Sequence, residues 1–238
     1  MTSMLSDLYE PDQKLLTSQI AGRPGAGKSY FVKHTLEEYL KQNKDPMFRL
    51  VYFCPKNEME LKGVEIVGTD DLEKHLRKNR AAVVYPDPAS AEWENDYCSD
   101  LLFELRGTNG PKFRAVYIID DATTFVTPRR EPSDAMKRLV LTGRSKGIRA
   151  VMVAHHFVFN KVMEGSIENI LVFGSAPKFQ WGDAAKRYGL DVESHQATLQ
   201  ENPYSYLWYR VTKGTSSMFP ALEVKKPKKR KKAKAKAA

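Results

Sequence analysis

Eight residues, Gly22-Arg23-Pro24-Gly25-Ala26-Gly27-Lys28-Ser29, carry the spacing GxxxxGKS. That pattern suits the binding of a phosphate chain. Glycines let successive backbone N–H groups curl around a phosphate with no Cβ in the way. A helix starting at the end of the turn adds its partial positive charge. Lys28 is placed to reach the outer phosphates, and the Ser29 hydroxyl is placed to ligate Mg²⁺. Further on, Val116-Tyr117-Ile118-Ile119 is followed by Asp120 and Asp121. Such an apolar run reads as a buried strand of a parallel sheet that delivers two acids at its C-terminal end, where open α/β sheets bind ligands. Alone, a strand ending in Asp fits an ordinary turn or helix cap equally. With the Gly-rich loop upstream, Asp120 is expected to hold Mg²⁺ through its water shell and Asp121 to orient or deprotonate the attacking water. The expected ligands are ATP and Mg²⁺.

A third group is the doublet His155-His156, which closes the apolar run Ala150-Val151-Met152-Val153-Ala154. A polar residue at the end of the strand beside the acids can touch a γ-phosphate or the attacking water. Successive strand residues face opposite ways, so only one histidine need face the nucleotide.

The elements that must position these groups alternate. Residues 15–21 read as a first strand, and apolar residues at helical spacing run from Ser29 to about residue 42. Strands are expected at 48–54, 64–67, 81–85, 114–119, 149–154 and 167–173. Helices are expected from Asp70, over 90–105, over 133–146 and over 178–189, with a loop at 106–111. Residues 204–211 alternate like a late strand at a sheet edge. Strands alternating with helices imply an α/β fold, a mostly parallel P-loop NTPase sheet flanked by helices.

Composition sets further limits. The length of 238 residues and an apolar share of 42% suit one large domain. No apolar run reaches the ~20 residues that span a bilayer, and a secretory leader is not evident, so a soluble protein of the cytoplasm is expected. Cys54 and Cys98 lack metal-type spacing and read as reduced thiols. The net charge of +9 resides in one place. Of 38 Lys and Arg residues, nine lie between Lys225 and Lys236, and the remaining 29 balance the 29 Asp and Glu. The expected organisation is therefore a P-loop domain over 1–224 and a disordered basic tail over 225–238. Such a tail suits contact with nucleic-acid phosphates or an anionic membrane.

Three blocks in order carry a resemblance. They are the loop at 22–29, the acids at 120–121 followed by Phe125 and Pro128, and Gly143-Arg144-Ser145-Lys146-Gly147-Ile148 leading into the strand that ends at the histidines. In these the chain resembles the FtsK-HerA superfamily of P-loop ATPases, and most resembles the genome-packaging ATPases of tailless icosahedral viruses with internal membranes. The resemblance implies a RecA-like fold and a homo-oligomer, a hexameric ring that moves double-stranded DNA. It implies a capsid or portal vertex as docking partner and a place in the host cytoplasm or the virion. It also implies an arginine that completes a neighbour's site, for which Arg144 comes before Arg149, Arg129 and Arg130. The superfamily's usual sensor is Gln; alignment on Ala154 favours His156 here. Many ATPases of this kind carry Glu where Asp121 stands, one methylene longer.

Other readings stay open. The Zot-like assembly ATPases of filamentous phages are related in mechanism but usually carry a membrane span, which is not seen here. A nucleotide-dependent switch docking on DNA or membrane through the tail is a second. A small-molecule kinase is a third, against which the basic tail argues.

Overall fold

The computed structural model describes residues 2–11, 17–126, 131–155, 163, 165–173, 189, 193–202 and 204–222. Leu15, Leu16, Pro128, Arg129, Arg130, His156, nearly all of the helix expected at 178–189 and the tail at 225–238 lie outside the described residues.

Helix α1 (Thr2–Tyr9) opens the described chain. Strand β1 (Thr17–Ala21) leads through the Gly-rich turn into helix α2 (Lys28–Gln42). Then come β2 (Phe48–Phe53), β3 (Glu65–Val67), α3 (Thr69–Lys78), β4 (Ala81–Val84), α4 (Ala91–Asn109) and β5 (Arg114–Ile119). Helix α5 (Asp134–Thr142) and a 3₁₀ turn at Gly143–Lys146 precede β6 (Ile148–Ala154) and β7 (Ile167–Phe173). Helix α6 (Glu193–Glu201) and strands β8 (Tyr206–Arg210) and β9 (Thr215–Phe219) complete it.

Among the described residues the strands form one nine-stranded sheet in the order β3-β4-β2-β5-β6-β1-β7-β8-β9. Pairing is parallel from β3 through to β7 and antiparallel for β7–β8 and β8–β9. The mostly parallel α/β sheet is the expected class. Two-residue periodicity divides its side chains between two layers. Leu50, Tyr52, Val116, Ile118, Val151 and Val153 pack with α1 and α2, while Val51, Phe53, Tyr117, Ile119, Ala150 and Met152 pack with α3, α4 and α5.

Two local expectations are corrected, and one element has none. Helix α4 runs on to Asn109 through part of the expected loop, because Thr108 and Asn109 return hydrogen bonds to the carbonyls of Glu104 and Leu105 and Gly110 then ends the helix. Strand β8 is not at the edge, since β9 pairs with it beyond a turn at Gly214 (φ 59°). The N-terminal helix α1 is not expected from the sequence. Eight residues form a marginal helix alone. It is held by its buried face, Leu5, Leu8 and Tyr9, and by the Arg149 guanidinium, which donates to the carbonyls of Asp7 and Glu10 at its C-terminal end.

Candidate functional site

Parallel pairing brings the C-terminal ends of four strands to one edge. Ala21 pairs with Ala154, Phe53 with Ile119, and Ile119 with Met152. The residues just beyond these strand ends therefore meet: Gly22 after β1, Lys56 after β2, Asp120 after β5 and His155 after β6. Strand β6 lies between the strand of the Gly-rich loop and the strand of the acids. The resulting cleft holds about 320 Å³ and is lined by Lys28, Ser29, Lys56, Asp120, Asp121 and His155 among others.

The loop takes its shape from its glycines. Gly27 stands just before α2 at φ 93°, a left-handed conformation that side chains rarely adopt. A Cβ there would also lie 2.9 Å from Cδ1 of Tyr204. Beyond it α2 begins at Lys28, so the free N–H groups of its first turn and the helix dipole face the loop. The Lys28 ammonium is buried and donates to the carbonyls of Gly22 (2.6 Å) and Arg23 (3.1 Å). Burial pushes its pKa down to about 8, against the opposing pull of Asp120. Ser29 is exposed on the cleft wall.

Asp120 is the more buried of the two acids. Its Oδ1 accepts the N–H of Asp121 (2.9 Å) and its Oδ2 lies 3.8 Å from the Cys54 thiol. Burial raises its pKa, so its negative charge is under-compensated by the protein. A divalent cation bound through one carboxylate and phosphate oxygens would supply that compensation, and Ser29 and Asp120 line the same cleft for it. Asp121 has the left-handed φ of 49°, unusual for a residue other than glycine. Its Oδ1 accepts from Thr123 (2.9 Å) and its Oδ2 pairs with Lys56 (3.1 Å). Burial pushes this carboxyl upward, but Lys56, Thr123 and His155 together hold it below the usual range.

His155 completes the group. Its Nδ1 lies 3.4 Å from Lys28 Nζ, and its Nε2 lies 3.1 Å from Lys56 Nζ and 3.6 Å from Asp121 Oδ1. Burial first, and then Lys28, lower its pKa, so the ring is neutral beside two ammonium groups. It therefore connects the loop lysine, the second acid and Lys56. His156 lies outside the described residues.

Lys56 is a site residue that sequence reasoning misses. The available signal is position: it stands three residues beyond β2, on the same sheet edge as the acids. In the sequence that stretch shows only Pro55, which reads as a strand terminator.

Arg144 is elsewhere. It is exposed in the 3₁₀ turn that precedes β6, while His155 follows β6. A seven-residue strand at about 3.3 Å per residue puts roughly 20 Å between them. Arg144 therefore does not reach its own subunit's cleft. The flanking glycines have local reasons: a Cβ on Gly143 would meet the Ile148 carbonyl at 2.7 Å, and Gly147 closes the turn at φ 72°. Arg149 is buried under α1 and so is withdrawn from any contact with a neighbour.

A Gly-rich turn at a helix start, two acids and a polar strand end on one sheet edge place the chain in the P-loop NTPase fold. Known structures agree. The fold matches the genome-packaging NTPase B204 from Sulfolobus turreted icosahedral virus 2, solved with AMPPCP, with a TM-score of 0.70 and 18% identity over 89% of this chain and 99% of that one. The same protein with ATP-gammaS matches at 19% identity with equal coverage and TM-score. VirB4 of Thermoanaerobacter pseudethanolicus matches with a TM-score of 0.59 and 11% identity over 87% of this chain and 89% of that one. No family model and no curated protein matches the sequence.

Proposed function

We propose that this chain is an ATPase, and that it couples hydrolysis to the movement of double-stranded DNA into a preformed viral capsid. One observation carries the hydrolysis reading: Lys28, Ser29, Asp120, Asp121 and His155 converge on one cleft with β6 between the loop strand and the acid strand. Lys28 and the loop N–H groups would hold the phosphates. Ser29 and Asp120 would hold Mg²⁺, which neutralises phosphate charge when bound. Asp121 would orient the attacking water, and His155 is placed to register its consumption.

The packaging reading is supported by the three sequence blocks and by the shared fold with a virus's genome-packaging NTPase. It implies a homo-oligomeric ring, a capsid or portal vertex as partner, and a place in the host cytoplasm or virion. Among the described residues no helix is long and apolar enough to cross a membrane. The nine positive charges of the tail are suited to DNA phosphates. The test is the ATPase rate with and without long duplex DNA. Stimulation by DNA, lost in Lys28→Ala, is expected. Hydrolysis indifferent to DNA would remove the motor reading and leave a nucleotide switch. Deleting residues 225–238 should weaken DNA binding at low salt and flatten its salt dependence.

A further inference from the structure

Two cavities meet at the Gly-rich loop. One is the charged cleft of the acids and Lys28. The other holds about 400 Å³ and is apolar, with Phe31, Phe173, Tyr204 and Leu222 on its walls. Gly27 and Tyr30 line both. A nucleoside triphosphate divides in the same way: a polyanionic end, and a flat aromatic end joined to it by a sugar.

Tyr204 is placed at a cost. It has the left-handed φ of 70°, and conformations of this kind are held only where the surroundings over-determine them. The next residue shows how: both the N–H and the hydroxyl of Ser205 donate to the Asn202 carbonyl, which fixes the turn into β8. The residue is 56% exposed, so burial does not explain the arrangement. It lies instead on Gly27, the last glycine of the loop. Tyr30, 47% exposed and on the first turn of α2, stands on the same cavity.

We propose that this cavity receives the purine base of the nucleotide by stacking on Tyr204 and Tyr30, and that it accepts adenine and guanine nearly alike. The proposal rests on the nucleotide reading of the charged cleft. Among the described residues its wall carries no amide, carboxylate or cationic side chain. The tyrosine hydroxyls both donate and accept, so they do not discriminate a 6-amino from a 6-oxo group, and the affinity comes from the rings. Sites that read a substrate by fixed hydrogen bonds reject the wrong one by about 10⁴–10⁵, whereas apolar pockets separate ligands by about 10- to 200-fold. Stacking needs only a π-face, which every base presents.

The test is calorimetric binding to the full chain, with Mg²⁺, of ATP, GTP and inorganic tripolyphosphate. The wild type should bind ATP and GTP within about tenfold of each other, and both more tightly than tripolyphosphate. Tyr204→Gly, which suits the backbone at φ 70°, should weaken both nucleotides about 5- to 150-fold and leave tripolyphosphate unchanged. Tyr204→Phe keeps the ring and should bind like the wild type. Nucleotide binding unchanged in Tyr204→Gly, or ATP and GTP differing by more than about tenfold, overturns the proposal. Tripolyphosphate distinguishes the two failures. A wild type that binds neither it nor ATP refutes the triphosphate site itself; one that binds it as tightly as ATP refutes the base cavity alone. If Tyr204→Gly loses tripolyphosphate binding, its fold is disturbed, and the exposed Tyr30→Ala decides by the same comparison.

Discussion

The Lys56 ammonium lies 3.1 Å from Oδ2 of Asp121 while Thr123 holds Oδ1 of the same carboxylate. Both oxygens of the group placed to orient water are thus engaged, and its basicity is reduced. Lys56 also faces the cleft where phosphate charge would gather. Lys56→Met should therefore do two things. It should lower hydrolysis by about 10²–10³, as loss of a preorganised cationic donor does. It should also move the acid limb of the pH–rate profile upward, because the carboxylate loses the partner that held its pKa down. A pH–rate series on the variant checks both, and an unmoved acid limb would mean that Lys56 does not act through Asp121.

The two acids should separate in their phenotypes. Asp121→Asn should keep nucleotide bound while hydrolysis falls by about 10²–10⁴, the usual range for a group that handles the water's proton. Asp120→Asn should instead lose the Mg²⁺ dependence of nucleotide binding. It should also stabilise the metal-free protein. Burial raises the Asp120 pKa, so the contribution present at low pH is lost as pH rises through the folded value. Above that folded value the ionised carboxylate therefore disfavours the fold. Removing it should raise Tm by roughly 2–4 °C per kcal/mol recovered. Thermal melts with and without Mg²⁺ measure this: the ion should stabilise the wild type and not Asp120→Asn.

Much of this cleft is legible in the sequence, because its parts are punctuated. The GxxxxGKS run, the acids after four apolar residues and His155 after another apolar run each stand where a strand ends. The register of a parallel sheet then brings them together without further information. Lys56 is not legible in the same way, since a lysine in a loop looks like any solvated cation until β2 is known to pair with β5. Tyr204 is equally silent, because its meaning is a backbone angle and a contact with Gly27. Helix α1 escapes because it is held by tertiary contacts, its buried face and Arg149, 140 residues away from its C-terminal end at Tyr9. Strand β9 escapes because Thr215-Ser216-Ser217 carries no apolar alternation, and pairing with β8 alone defines it.

Lys28 gives a pH signature. Its pKa is pushed down to about 8 by burial, whereas a bound triphosphate would favour the charged form. Between about pH 8 and the ordinary lysine value, binding must then take up a proton. Affinity should fall with rising pH across that window, by up to about tenfold per pH unit. Calorimetry in two buffers of different ionisation enthalpy reads the proton directly. No uptake at about pH 9, inside that window, would place Lys28 away from the phosphates.

His155 should report on the same chain of contacts. It touches Lys28 on one ring nitrogen and Lys56 on the other. His155→Ala should therefore impair hydrolysis more than nucleotide binding, since the loop N–H groups and Lys28 remain. His155→Gln, which keeps a donor and an acceptor, should recover part of the rate. A variant with wild-type turnover would return the residue to a packing role.

Arg144 makes the sharpest prediction about assembly. It is exposed at the N-terminal edge of β6, roughly 20 Å from the cleft at the other end of that strand. A role in hydrolysis then requires a second copy, whose cleft faces this edge. Its planar fork of donors suits phosphate oxygens, and an arginine acting this way is worth about 10³–10⁵ in rate. Arg144→Ala alone and Lys28→Ala alone should each be inactive, yet mixtures should recover activity. In the productive interface the Arg144→Ala subunit supplies an intact loop and its Lys28→Ala neighbour supplies the arginine. Activity should peak near equal proportions and disappear on dilution below the assembly concentration. Mixtures shown to co-assemble but remaining dead would leave Arg144 as a surface cation held between two glycines that serve only the turn.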